Sequence, residues 1–154
     1  MAKNNKVPEA QVAISRKKIG GEIPIVVNEL TDKCLYTGFF GTLDSARMVS
    51  ITDRVLDLLS ATDIEIIIID LSNVDIIDSA VATHLIRLGD TLTLVGVKII
   101  FCGIPSTVAQ IMVSAGIDVR GFRVSKNLKS AVKEMFAIQG LKIVSMFPEE
   151  QIAR

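Results

Sequence analysis

The chain alternates between two hydrophobic rhythms. Ile25 to Glu29 and Cys34 to Phe40 read as strands on either side of Thr31-Asp32-Lys33, a spacing that suits a hairpin. The sheet is therefore expected to begin antiparallel. From Asp44 the period lengthens, with Met48, Ile51, Val55, Leu58 and Leu59 at helical spacing and Arg47, Asp53, Arg54 and Asp57 filling much of the rest. Ile64 to Ile69 is an uninterrupted apolar run closed by Asp70, the pattern of a strand covered on both faces.

The same alternation continues to the C-terminus. Val81, Leu85, Leu88, Leu92 and Val95 predict a second helix ending at Gly96, followed by a strand over Val97 to Cys102. A third helix is expected over Ser106 to Ala115, with Val108, Ile111, Met112 and Ala115 on one face and Gly116 as its stop. A short strand near Val119 to Val124 precedes a fourth helix near Asn127 to Ile138, with Leu128, Val132 and Met135 inward. Leu141 to Phe147 is apolar enough to pair or dock. Strand and helix alternating after a hairpin predict an α/β fold: a mixed β-sheet, antiparallel at its start and then parallel, packed with about four α-helices.

Residues 1–22 include Lys3, Lys6, Arg16, Lys17 and Lys18 among mostly polar neighbours and end near Gly20-Gly21, which reads as a flexible N-terminal arm. The domain is expected over 23–147, with 148–154 as a C-terminal tail. At 154 residues the chain has room for one ordinary domain.

Charge and composition narrow the partners. Lys plus Arg and Asp plus Glu are each 17, leaving no positive excess to drive binding to nucleic acid or an anionic membrane. Apolar residues make up 49% of the chain, yet no run approaches the ~20 residues that span a bilayer. The polar start lacks the apolar stretch of a secretory signal, so a cytoplasmic location is expected. Cys34 and Cys102 lie far apart without zinc-ligand spacing and read as reduced core thiols. No metal or cofactor is expected, since no Gly-rich phosphate loop follows a strand and Gly103 stands alone before Ile104-Pro105.

The richest segment for function runs from Asp70 through Asp75, Asp78 and Ser79 to Ala82, joining a buried strand to a helix start. In open α/β sheets, ligands and partners meet the loops at the carboxyl ends of strands. Asp78 can act as N-cap, leaving Ser79 in the first turn with its hydroxyl near the surface. On spacing alone the pair need do no more than start a helix. His84, about 140° around the helix from Ser79, is poorly placed for a Ser-His dyad and reads as a partly exposed helix residue.

The run Val74-Asp-Ile-Ile-Asp-Ser79-Ala resembles the phosphorylation loop of STAS-domain anti-anti-sigma regulators, whose serine or threonine after the aspartate accepts phosphate from a partner kinase. Gly41-Thr-Leu-Asp-Ser-Ala-Arg47 and Cys102-Gly-Ile-Pro-Ser-Thr-Val-Ala-Gln110 are similar to segments of the scaffold co-antagonists among the STAS proteins of the stressosome, a bacterial signalling assembly. The likeness extends from about Pro24 to Phe147. It implies a STAS domain over 23–147, Ser79 as phosphoacceptor, and a partner surface bordered by Asp75, Asp78, Thr42 and Arg47.

The resemblance further implies a role in the bacterial general stress response: a stressosome antagonist that sequesters a serine/threonine switch kinase until Ser79 is phosphorylated, without catalysis of its own. Other STAS-domain stressosome subunits and further copies of this chain are the expected co-assemblers, with Ile86 as a possible contact. Serine at 79 resembles the antagonist subunit, whereas scaffold members commonly carry threonine there. Ile111 stands after Ala109-Gln110, where scaffold members have a second phosphoacceptor threonine. A short scaffold or co-antagonist is the alternative role. A small hydrolase or nucleotide-binding protein using Ser79 or the Gly103 loop is the enzyme-class alternative.

Overall fold

A computed structural model describes residues 23–147 of the chain. Residues 1–22 and 148–154, read from sequence as arm and tail, lie outside the described residues. Within that range the chain forms β1 (Ile25–Thr31), β2 (Cys34–Gly41), α1 (Ser45–Ser60), β3 (Ile66–Val74), α2 (Ser79–Leu94), β4 (Lys98–Cys102), α3 (Ser106–Ser114), β5 (Arg123–Ser125) and α4 (Leu128–Ile138).

The five strands form one sheet in chain order. β1 pairs antiparallel with β2, with Ile25 opposite Phe39, and the other three pairings are parallel. The mixed α/β sheet expected from the alternation is therefore found, together with four helices among the described residues.

Strand periodicity divides the core in two. Leu35, Phe39, Ile67, Ile69, Leu71, Ile99 and Phe101 face one way and meet Met48, Ile51, Val55 and Leu58 of α1, Val81, Leu85, Leu88 and Leu92 of α2, and Val108 and Met112 of α3. Cys34, Ile66, Ile68, Ile100 and Cys102 face the other way against Ala131 and Met135 of α4. Because β3 is covered on both faces, Ile66 to Ile69 can be apolar without alternation. Both cysteines are free and buried, and burial pushes each thiol up to about 12, with the Asp70 carboxylate adding to the rise at Cys102.

Element ends depart from the periodic reading. β3 does not close at Asp70 but continues to Val74, because beyond Gly38 the register shifts and Phe40 and Gly41 pair with Asn73 and Val74. Val95 is outside α2 and exposed, since Gly96 (φ +86°) turns the chain toward β4. Ala115 likewise lies past the end of α3 and is exposed. β5 is shorter and later than the expected Val119 to Val124. Leu128, predicted inward, is the first residue of α4 and stays exposed, because Ala131 and Met135 form the stripe that faces the sheet. Leu141 to Phe147 forms neither helix nor strand, and its apolar side chains are exposed.

Candidate functional site

The loops after β2, β3 and β4 gather at one end of the sheet. The backbone N–H of Asp75 donates to the Gly41 carbonyl at 2.9 Å, and that of Leu43 donates to the Ile76 carbonyl at 3.4 Å. These bonds hold the approach to α1 beside the approach to α2. Thr42, Arg47, Asp75, Asp78 and Ser79 thereby come to the same end of the molecule.

The two helix starts at this end, those of α1 and α2, are each capped by a local side chain. Asp78 is extended (φ −106°, ψ 179°), and its Oδ1 accepts from the Val81 backbone N–H at 2.8 Å. This is an N-cap that satisfies one of the free donors of the first turn. Asp44 does the same for α1, accepting from the Arg47 backbone N–H at 2.8 Å. Arg47 then folds back, its Nη1 donating to the Thr42 carbonyl at 2.6 Å. Sequence reasoning treats Arg47 as a solvated or partner-facing charge. In the structure it braces the loop that carries Thr42.

Ser79 is the first residue of α2 and is exposed. Its carbonyl accepts from the Thr83 hydroxyl at 2.9 Å, and its own hydroxyl has no hydrogen bond among the described residues. It borders an open hollow of about 620 Å³ whose other walls are Thr107, Gln110, Ile111, Ser114 and Ala115 of α3 and its end. Asp75 and Asp78 are also exposed, and neither makes an ion pair among the described residues. Ile77 is buried and anchors the loop, whereas Ile76 is 64% exposed and adds an apolar contact surface beside the acidic pair. His84 is half-buried on α2, as its position in the helix predicts.

One polar cluster was not legible as such. Asp70, 6% exposed on the α4 face of β3, accepts at Oδ2 from the Tyr36 hydroxyl at 2.8 Å. Its Oδ1 accepts from the Ser72 backbone N–H at 2.9 Å and from the Ser72 hydroxyl. Burial and then the Asp70 carboxylate push the Tyr36 hydroxyl well above its ordinary pKa. A carboxylate at the end of a run of isoleucines was the available signal, but its phenol partner lies 34 residues away on β2. Among the described residues no group of His, Cys, Asp or Glu could hold a metal ion.

Comparison with known proteins places this geometry among relatives. The family described as STAS domain matches residues 26–131. The chain is 29% identical over 106 residues to the RsbT co-antagonist protein RsbRA of Bacillus subtilis (strain 168), covering 69% of this chain and 39% of that protein. It is 28% identical over 129 residues to the RsbT co-antagonist protein RsbRD of the same organism, covering 84% and 45% respectively. The chain thus spans less than half the length of these curated relatives. The solved structure of a variant of Moorella thermoacetica RsbS superposes with a TM-score of 0.66 at 20% identity, covering 76% of this chain and 98% of that one, which is a likeness of fold.

Proposed function

The chain belongs to the STAS domain family, and on that premise we propose that it is a stressosome antagonist of the bacterial general stress response, holding a serine/threonine switch kinase until Ser79 is phosphorylated. The observation that carries this reading is the placement of Ser79. Its hydroxyl is exposed at the first turn of α2, the cap is supplied by Asp78 instead, and a hollow large enough for a partner's side chains opens beside it. A kinase can reach such a hydroxyl without unfolding the loop. The kinase supplies the ATP chemistry, and the chain supplies a surface and an acceptor.

The switch is electrostatic. Phosphate on Ser79 adds about −1.5 to −2 charges beside the exposed carboxylates of Asp75 and Asp78. The N-terminal dipole of α2 favours that charge by roughly 0.3 to 1 kcal/mol, so the fold tolerates it. A partner seated over Ile76 and the hollow must instead cover an unpaired dianion, at a cost of several kcal/mol. That cost exceeds what the dipole returns, and the partner leaves. Thr42, held by Arg47, and the Asp75–Asp78 loop border the docking surface.

The partners in this reading are the kinase, other STAS-domain subunits and further copies of the chain, acting in the cytoplasm. Ile86 is half-buried against the core and so offers only part of its side chain to such a contact. No helix among the described residues is long and apolar enough to cross a membrane. A second reading, a short co-antagonist that builds the assembly and tunes phosphorylation of another subunit, is favoured by the names of the Bacillus subtilis relatives. Reconstitution with defined STAS partners and kinase separates the two. An antagonist retains the kinase by itself, whereas a co-antagonist does so only beside another subunit.

The direct test is intact mass and phosphopeptide mapping after incubation with the cognate kinase and ATP. Ser79→Ala should fold as the parent does, accept no phosphate and retain the kinase under activating conditions. Ser79→Asp should bind the kinase more weakly. If the kinase modifies Ser79→Ala as fully as the parent, Ser79 is only a helix-start residue and the switch lies elsewhere.

A further inference from the structure

The two walls of the hollow belong to different chain segments, one entering α2 from β3 and the other entering α3 from β4. The ladder between β3 and β4 stops at the pair Asp70 and Cys102. Beyond that pair no backbone pairing ties the run Ser72 to Ser79 to the turn Gly103-Ile104-Pro105. What lies at the divergence is the Asp70–Ser72 pair with Gly103 pressed against it. Gly103 has φ +65°, and a Cβ built there would lie against the Ser72 hydroxyl and 2.9 Å from Asp70 Oδ1. Only a residue without a side chain lets the backbone rest so closely on a buried carboxylate in that conformation.

We propose that Asp70 and Ser72, with Gly103 seated on them, form a positioning staple that couples the loop bearing Ser79 to the N-terminus of α3 and so fixes the width of the hollow. Asp70 is held from below by Tyr36 of β2 and holds the backbone and hydroxyl of Ser72 above. Ser72 is followed by Asn73 and Val74, the last residues of β3, which pair with Phe40 and Gly41 of β2 and lead directly into Asp75. Gly103, resting on the same pair, starts the turn that delivers Pro105 to the head of α3, from which Thr107 and Gln110 face Ser79 across the hollow. A displacement of Asp70 therefore moves both walls, not one. The consequence for partner selection rests on the docking reading given above, but the coupling does not.

The coupling is measured without any partner, by hydrogen exchange and mass spectrometry on the full chain. Asp70→Asn keeps the shape of the side chain and removes its charge. Ser72→Ala, at an exposed residue, is the milder variant should Asp70→Asn fail to fold. Either should raise exchange at 72–80 and 103–110 together, by about tenfold or more, while 25–31 and 128–138 keep the parent's rates. Ser72→Thr, which retains the hydroxyl, should restore parent behaviour at both loops. A rise at only one loop, a rise spread evenly over all peptides, or no rise in any folded variant overturns the staple. Failure of the parent to accept phosphate at Ser79 would instead overturn the docking reading and leave the exchange result standing.

Discussion

Thr37 offers a sharp test of how this core is assembled. It sits on β2, fully buried on the face that meets α1 to α3, between Val27 of β1 and Ile69 of β3. Its hydroxyl has no hydrogen-bond partner among the described residues. Stripping a hydroxyl of water without replacing its bonds costs roughly 1 to 3 kcal/mol, whereas a methyl group in the same place gains about 0.8 kcal/mol from burial. Valine keeps the β-branched shape and nearly the same volume, so the pocket need not repack. Thr37→Val should therefore stabilise the protein by about 1 to 2 kcal/mol, even after allowing for partial relaxation of the parent. For a chain of this size that is a rise of roughly 2 to 8 °C in Tm. Urea unfolding should show a higher midpoint with an unchanged m-value, the sign that stability alone has moved. A loss of about 1 kcal/mol or more would refute the reasoning, because it would mean that the hydroxyl is hydrogen-bonded in solution.

Leu85→Ala, at the centre of the buried stripe of α2, should cost about 2 to 5 kcal/mol in chemical denaturation, and a change below about 0.5 kcal/mol would show that Leu85 does not pack as it does here. Asp78→Ala should lose about 0.5 to 2 kcal/mol through its cap, with Asp78→Asn or Asp78→Ser recovering most of it. Cys34 and Cys102 should resist iodoacetamide until the protein unfolds. Their folded pKa, pushed up to about 12 from an ordinary 9.0, favours the neutral thiol in the folded state. The stability this contributes is complete below pH 9 and is lost as pH rises toward 12. Replacing both cysteines with alanine should flatten that alkaline decline, which thermal unfolding from pH 8 to 11 would reveal.

The order of elements, their types and the direction of the opening hairpin were all legible in the residues, because burial on one helical face or one strand face imposes a period on the sequence. Met48, Ile51, Val55 and Leu58 declare α1 by their spacing, and Ile66 to Ile69 declare a doubly covered strand by their lack of alternation. Asp78 declares a cap because the N–H groups it serves lie within the next three residues. Each of these is a local consequence of geometry, so one segment contains the whole signal.

Where the reading fell short, the deciding partner was distant. Val95 and Leu128 fit their helical periods, yet whether a residue at a helix end is covered depends on how far the neighbouring elements reach, which no period encodes. Asp70 looked like the end of a strand because a carboxylate rarely enters a core. It is inside one because Tyr36 and Ser72 supply its donors. The hollow beside Ser79 is likewise a product of packing, since Thr107 and Gln110 are brought across from a later crossover. Sequence by itself determined which residues face inward along the middle of α1 and α2 and where a helix begins beside Ser79. Only the tertiary structure decided what Ser79 faces and what holds that surface in place, because those contacts join segments whose separation along the chain leaves no periodic trace.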